Sequence, residues 1–169
     1  TSLATVLGTD EKIDVTGGWH DAGDYGRYVV PGAKTVADLL LTIADNEVEN
    51  SDEILEETKY ELDWMFKMQD SSGGVYHKVT CANFPGSVMP EEETEELIVA
   101  PISNTATGDF AAVMAMASIS YEETDAKYAK KCLAASKKAY EYLVANLDAA
   151  GFKNPTDIAT GEYGDDDCK

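Results

Sequence analysis

The apolar residues between positions 51 and 70 constrain the fold most. Ile54, Leu55, Thr58, Leu62, Met65 and Phe66 recur at spacings of three and four, which puts them on one face of an α-helix. Ser51 precedes Asp52 and Glu53, a capping hydroxyl followed by acidic residues that suit a helix N-terminus. Ser71-Ser72-Gly73-Gly74 stops the pattern. Three other stretches share the period. After Pro31-Gly32, the residues Val36, Leu39, Leu40 and Ile43 predict a helix that fades at Asn46. Phe110, Val113, Met114 and Ala117 predict one from about Thr105 or Thr107 to Ser120. Tyr128, Cys132, Ala135, Ala139, Leu143 and Leu147 predict the fourth, from about Thr124 to Leu147, with Gly151 beyond its end. Each helix must bury one stripe, and four can do so as two antiparallel hairpins. No βαβ rhythm is visible. The expected class is therefore all-α, one unit over residues 1–169.

Hydrophobic residues make up 44% of the chain, which argues against intrinsic disorder. No apolar run approaches the roughly 20 residues that a membrane-crossing helix needs. Lys and Arg total 13 against 32 Asp and Glu, a net charge of −19. Such a surface repels phosphate backbones and anionic lipid, so neither nucleic acid nor a membrane is an expected partner. Neutral ligands and divalent cations remain. The cysteines are Cys81, Cys132 and Cys168, an odd number with no C-x-x-C pair, so neither a disulfide framework nor an all-cysteine zinc site is expected. Thr1 is not an initiator methionine, so upstream residues are expected and secretion stays open. The acidic cluster that closes the tail has the look of a chain cut rather than finished.

Residues 17 to 28 read GGWHDAGDYGRY. Phosphate-binding glycine loops, H-E-x-x-H and G-x-S-x-G are all missing, and two histidines do not make a histidine-rich metal site. Carboxylate chemistry is what remains. Asp21 and Asp24, three apart on a turn leading towards a helix, can point into one space. Their repulsion raises the proton affinity of one of them, and the ionised member can take a proton from a water that attacks a substrate. Trp19, Tyr25 and Tyr28 offer flat faces of the kind sugar rings stack on. A purely structural or calcium-binding glycine turn fits the same spacing, although the EF-hand pattern does not. Residues 70–104 form the longest predicted non-helical stretch, and loops of that length in compact domains usually have a function.

The longer string DVTGGWHDAGDYGRYVVPGAKTVADLLL, from Asp14 to Leu41, resembles the N-terminal signature of glycoside hydrolase family 9 cellulases. Three segments resemble the same family in the same order: ELDWMFKMQDSSGGVYHKV from Glu61, NTATGDFAAVMAMAS from Asn104, and ATGEYGDDDCK from Ala159. The resemblance implies the first part of an (α/α)6 barrel. It also implies hydrolysis of β-1,4-glucosidic bonds in cellulose or related β-glucans, with inversion. Asp24 would be the general base and Asp21 would help hold the water. The family's acid glutamate belongs further along the catalytic domain, so these residues alone are expected to be inactive until joined by the C-terminal part.

His77 is implied as a contact to a glucosyl hydroxyl, with Tyr76, Tyr163 and Trp19 as further substrate-binding candidates. A structural calcium is implied at Asp166 and Asp167, with no cofactor required for the chemistry. Nothing here allows a zinc site to be assigned. The implied ligand is a β-1,4-glucan or cello-oligosaccharide, and the implied location is extracellular, secreted or at the surface of a bacterial-type cell. Two other classes stay open: a non-catalytic carbohydrate-binding helical module and a calcium-stabilised structural protein.

Overall fold

A computed structural model describes residues 3–45, 48–161 and 164–165. Four helices dominate: α1 (Val29–Asp45), α2 (Ser51–Met68), α3 (Asn104–Ser120) and α4 (Ala126–Ala145). All four predicted helices are present, with shifted ends. The first starts before Pro31, not after it. Proline is tolerated in a helix's first turn, where its missing N–H would have no intrahelical partner, and the Val29 N–H donates to the His77 carbonyl instead (3.2 Å). The Ser103 and Asp125 side chains cap α3 and α4 by accepting the N–H groups of Ala106 and Tyr128.

The all-α expectation needs correction. Seven short strands are present among the described residues: β1 (Leu3–Val6), β2 (Lys12–Asp14), β3 (Arg27–Tyr28), β4 (Val75–Tyr76), β5 (Lys78–Thr80), β6 (Ile98–Val99) and β7 (Ile102–Ser103). Five form a mixed sheet in the order β2-β1-β6-β5-β3, and β4 pairs with β7. The β1–β6 pair is parallel, with Thr5 opposite Ile98, while the other pairs are antiparallel. Two- to four-residue strands are too short for alternation to register. They exist because segments far apart in sequence supply each other's backbone partners.

The strands are where they matter for function. β3 runs directly into α1, and β7 runs directly into α3. β5 pairs with β3, and β4, one residue before β5, pairs with β7. The N-terminal ends of α1 and α3 are thereby tied together, while residues 14–19 are held on α2 by Glu57, Glu61 and Lys67.

Behind this end lies the core. Val36 and Leu40 of α1, Leu62, Trp64, Met65 and Met68 of α2, and Phe110 and Met114 of α3 are all buried. The Phe66 ring meets Phe110 and Tyr128 edge-on, with centroids 6.5 and 5.9 Å apart. On α4, Tyr128, Cys132, Ala135 and Ala139 face inward as the period requires. Leu147 does not: α4 ends at Ala145, and Leu147 stands 71% exposed in the turn beyond it. Leu133, Tyr140 and Val144 are exposed along the same helix. No helix of the described residues is long and apolar enough to cross a membrane.

Phe110 has no exposed surface and supplies one ring of the α2–α3 contact. Phe110→Ala should lower unfolding free energy by about 3–5 kcal/mol, read as a shift in the urea midpoint. A loss below roughly 1 kcal/mol would mean that the ring is not packed as described.

Candidate active site

The turn that carries the two aspartates is closed by its own backbone. The Asp21 N–H donates to the Gly26 carbonyl (2.8 Å), and the Tyr25 N–H donates to the Asp21 carbonyl (3.3 Å). Two residues take left-handed backbone, Gly23 at φ +91° and Tyr25 at φ +55°. Glycine reaches that region without penalty, whereas a bulky residue seldom does. The Tyr25 hydroxyl donates to the Val88 carbonyl (2.6 Å), which anchors the turn to the 84–97 loop.

Within the turn the aspartates have different surroundings. Asp24 accepts one hydrogen bond on each oxygen, from the Gly26 N–H (2.6 Å) and the Tyr28 hydroxyl (2.9 Å). The Asp21 carboxyl is pushed above the usual range, first by burial and then by the charge of Asp24. Asp21 also lies between two cavities. One, of about 520 Å³, is lined by Thr16, His20, Tyr25, Arg27 and Glu93 among others. The other, of about 350 Å³, brings Asp21 together with Tyr28, His77, Lys78, Asn154 and Asp165. Asp24 forms part of neither lining.

His77 enters the second cavity from the single residue between β4 and β5. Its Nδ1 is 2.8 Å from Ser103 Oγ, and its ring stacks on Phe152 with centroids 3.8 Å apart. The serine that caps α3 therefore also orients the imidazole. Lys78, only 2% exposed, donates to Asn154 Oδ1 (3.0 Å) and to the Ala159 carbonyl and Thr160 hydroxyl (3.4 Å each). Burial lowers its pKa while the charge of Asp24 opposes that shift.

Tyr76 and Trp19 do not line either cavity that Asp21 borders. Tyr76 is buried in β4 opposite Ile102. Trp19 is held by α2: its N–H donates to Glu61 Oε2 and its indole N–H to Glu57 Oε1, each at 2.6 Å. The expectations at Tyr163, Asp166 and Asp167 fall outside the described residues. No group of three His, Cys, Asp or Glu that could hold a metal occurs among the described residues. Asp165 in that stretch already accepts the Asn154 N–H (2.8 Å).

Sequence reasoning missed four residues here: Arg27, Glu61, Lys78 and Asn154. Arg27 is 4% exposed and donates to the Val15 carbonyl and to the Gly17 carbonyl (2.8 Å). Glu61 is 1% exposed, and burial raises its pKa to about 7 against the opposing pull of the Trp19 N–H and the Arg27 charge. A signal for Glu61 existed. It falls three residues after Thr58 and four before Met65, on the apolar face of its own helix, where a carboxylate needs a reason. Lys78 and Asn154 become neighbours only through tertiary structure.

The helical hairpins, the strand-tied helix ends and the paired aspartates of one turn make a helical scaffold with an acidic turn at one end. The family model for glycosyl hydrolase family 9 matches residues 2–169, and the chain belongs to that family. A cellodextrinase of Butyrivibrio fibrisolvens is 46% identical over 176 residues, covering 95% of this chain and 32% of its own length. Endoglucanase D of Acetivibrio thermocellus is 43% identical, covering 95% and 28%. Among solved structures, a single-mutant (D468A) thermostable endoglucanase from Alicyclobacillus acidocaldarius superposes with a TM-score of 0.89 at 41% identity, over 97% of this chain and 34% of that one. AaCel9A in complex with cellobiose-like isofagomine gives 0.88, again at 41% identity and over the same 97% and 34%. The chain spans about a third of the length of the curated relatives it matches. The helical part of the fold is thus that of a partial (α/α)6 barrel.

Glu61 also shapes stability. Its folded pKa of about 7 lies above the ordinary 4.5, so the folded state holds the proton more tightly. Stability from this group is present below pH 4.5 and is lost as pH rises to about 7, by roughly 3 kcal/mol in all. Glu61→Gln should remove that part of the pH dependence. Urea titrations of both proteins at pH 5 and pH 8 measure it, and equal differences in the two would rule the shifted carboxyl out.

Proposed function

We propose that the chain supplies the water-activating side of an inverting β-1,4-glucanase site. The observation that carries this reading is the meeting of Asp21 and Asp24 on one closed turn, with Asp21 opening into a cavity shared with Tyr28, His77 and Lys78. Relatives named as a cellodextrinase, as endoglucanases and as a xyloglucan-specific endo-β-1,4-glucanase support a β-glucan or cello-oligosaccharide as the substrate.

In this reading a water sits between the two carboxyl groups. Its oxygen attacks the anomeric carbon from the face opposite the leaving sugar, and Asp24 takes its proton. The bond to the leaving oxygen breaks as an acid protonates that oxygen, and the configuration inverts. Asp21, three residues earlier on the same closed turn, helps hold and polarise that water. His77, oriented by Ser103 through Nδ1, borders the cavity that Asp21 opens into and is the proposed contact to a glucosyl hydroxyl. Tyr163 remains a proposed sugar contact. Trp19 and Tyr76 remain proposed sugar contacts as well, although neither lines the cavities that Asp21 borders.

In this reading the acid comes from elsewhere: the chain spans about a third of the length of its relatives, and Glu93 and Glu95, which border Asp21, lie in the cavity away from His77. Acid and base in an inverting site stand about 6.5–9.5 Å apart. We assign the acid to residues beyond these 169. Calcium, if held at Asp166 and Asp167, is structural and takes part in no step. Since polymeric glucan is met outside the cell, we place the enzyme there, secreted or surface-bound.

Two measurements test the proposal. In the longer enzyme that contains this chain, Asp24→Asn should lower kcat on cello-oligosaccharides by roughly 10²- to 10⁴-fold, while calorimetric affinity for the same sugars stays close to wild type. Wild-type binding without any turnover would point instead to a carbohydrate-binding module. The 169 residues alone should not hydrolyse carboxymethylcellulose, and turnover at a normal rate would contradict the division of roles.

A further inference from the structure

The chain approaching the aspartate turn is gripped at three successive alternate residues. Arg27 takes the carbonyls of Val15 and Gly17, and Glu61 takes the N–H of Trp19 at 2.6 Å. Asp21 follows two residues later. Both gripping side chains are nearly inaccessible, at 4% and 1% exposure, and they attract each other electrostatically. Glu57 adds a bond to the Trp19 indole.

Space around Glu61 is equally restricted. A Cβ on Gly32 of α1 would come within 2.5 Å of its Oε1, and Met65 lies on the same side. A Cβ on Gly18 would meet the Trp64 ring at 2.6 Å. The carboxylate therefore has little freedom to leave the Trp19 N–H, and the 15–19 segment has little freedom to rise off α2. Neither Arg27 nor Glu61 is needed for proton transfer in the reading above. Burying a carboxylate is costly unless it is hydrogen-bonded and paired, which makes its place on the apolar face of α2 a feature to be explained.

We propose that Glu61 is a positioning residue: from α2, its carboxyl group holds the Trp19 backbone N–H and so fixes where Asp21 and Asp24 stand. This rests on the reading that the turn carries the reaction. Asp21 and Asp24 must share one water, and small displacements of reacting groups cost large factors in rate. The charged groups around Glu61 are Arg27 on β3 and Glu57 on its own helix, so its grip depends on Arg27 to offset Glu57.

Three substitutions in the longer enzyme test this. Glu61→Gln keeps an acceptor oxygen in place. Glu61→Met keeps the volume and removes the acceptor. Glu61→Asp keeps the charge but withdraws the oxygen by one methylene, and it stands in should the methionine variant not fold. On cello-oligosaccharides, Met and Asp should lower kcat by roughly 10- to 100-fold with little change in KM, and Gln should recover most of that loss. Hydrogen exchange of the 17–26 backbone should speed up in Met and Asp but not in Gln. A folded Met or Asp variant with wild-type kcat, or with unchanged exchange over 17–26, overturns the proposal. If the wild-type enzyme itself shows no turnover, the glucanase reading fails, and the exchange data still decide the role of Glu61.

Discussion

A guanidinium that cannot lose its charge lies buried beneath the loop that matters most. Arg27 must find acceptors where water barely reaches, and it finds them in the carbonyls at Val15 and Gly17. The path of residues 15–19 is set by that demand. Glu61 answers from the other side through the Trp19 N–H. Glycines at 17 and 18, both at positive φ, let the backbone run close against Tyr60 and Trp64. Everything that follows in the chain, including the closed turn at 21–26, starts from this fixed position.

The same end of the molecule is organised by strands that lead into helices. β3 delivers the chain into α1 and β7 delivers it into α3, so the turn and His77 both sit at helix N-termini, where backbone N–H groups favour negative charge. Ser103 links the two functions, since its hydroxyl caps α3 and also bonds His77. Lys78 extends the arrangement to the 152–160 segment. Fold and site are built from the same few bonds at this end.

The helices were legible because each buries a stripe that recurs at the helical period; α3 buries all four residues of its predicted stripe and α2 four of its six, with Ile54 and Phe66 only half-buried. The strands were not legible. Two residues carry no period, and the partner of Thr5 in β6 is Ile98, which no local window can see. Within the site, Asp21 and Asp24 stood out because elimination left only carboxylates, and the match to a family signature gave them roles. Arg27 lay inside that signature but drew no separate notice, since neither its burial nor its carbonyl partners can be read from neighbouring residues. Glu61 was readable as a charge on an apolar face. Lys78 and Asn154 were not, because the bond between them joins segments brought together only by folding.

The parallel pairing of β1 with β6 also sets an order of events during synthesis. As the chain emerges, α1 and α2 can meet while β1 still lacks β6, which lies near the end of the long segment between α2 and α3. Local helical contacts form quickly, whereas a pairing between distant segments waits on loop closure. The five-stranded sheet therefore closes later than the first helical hairpin, once Ile98 and Val99 have come into reach of β1.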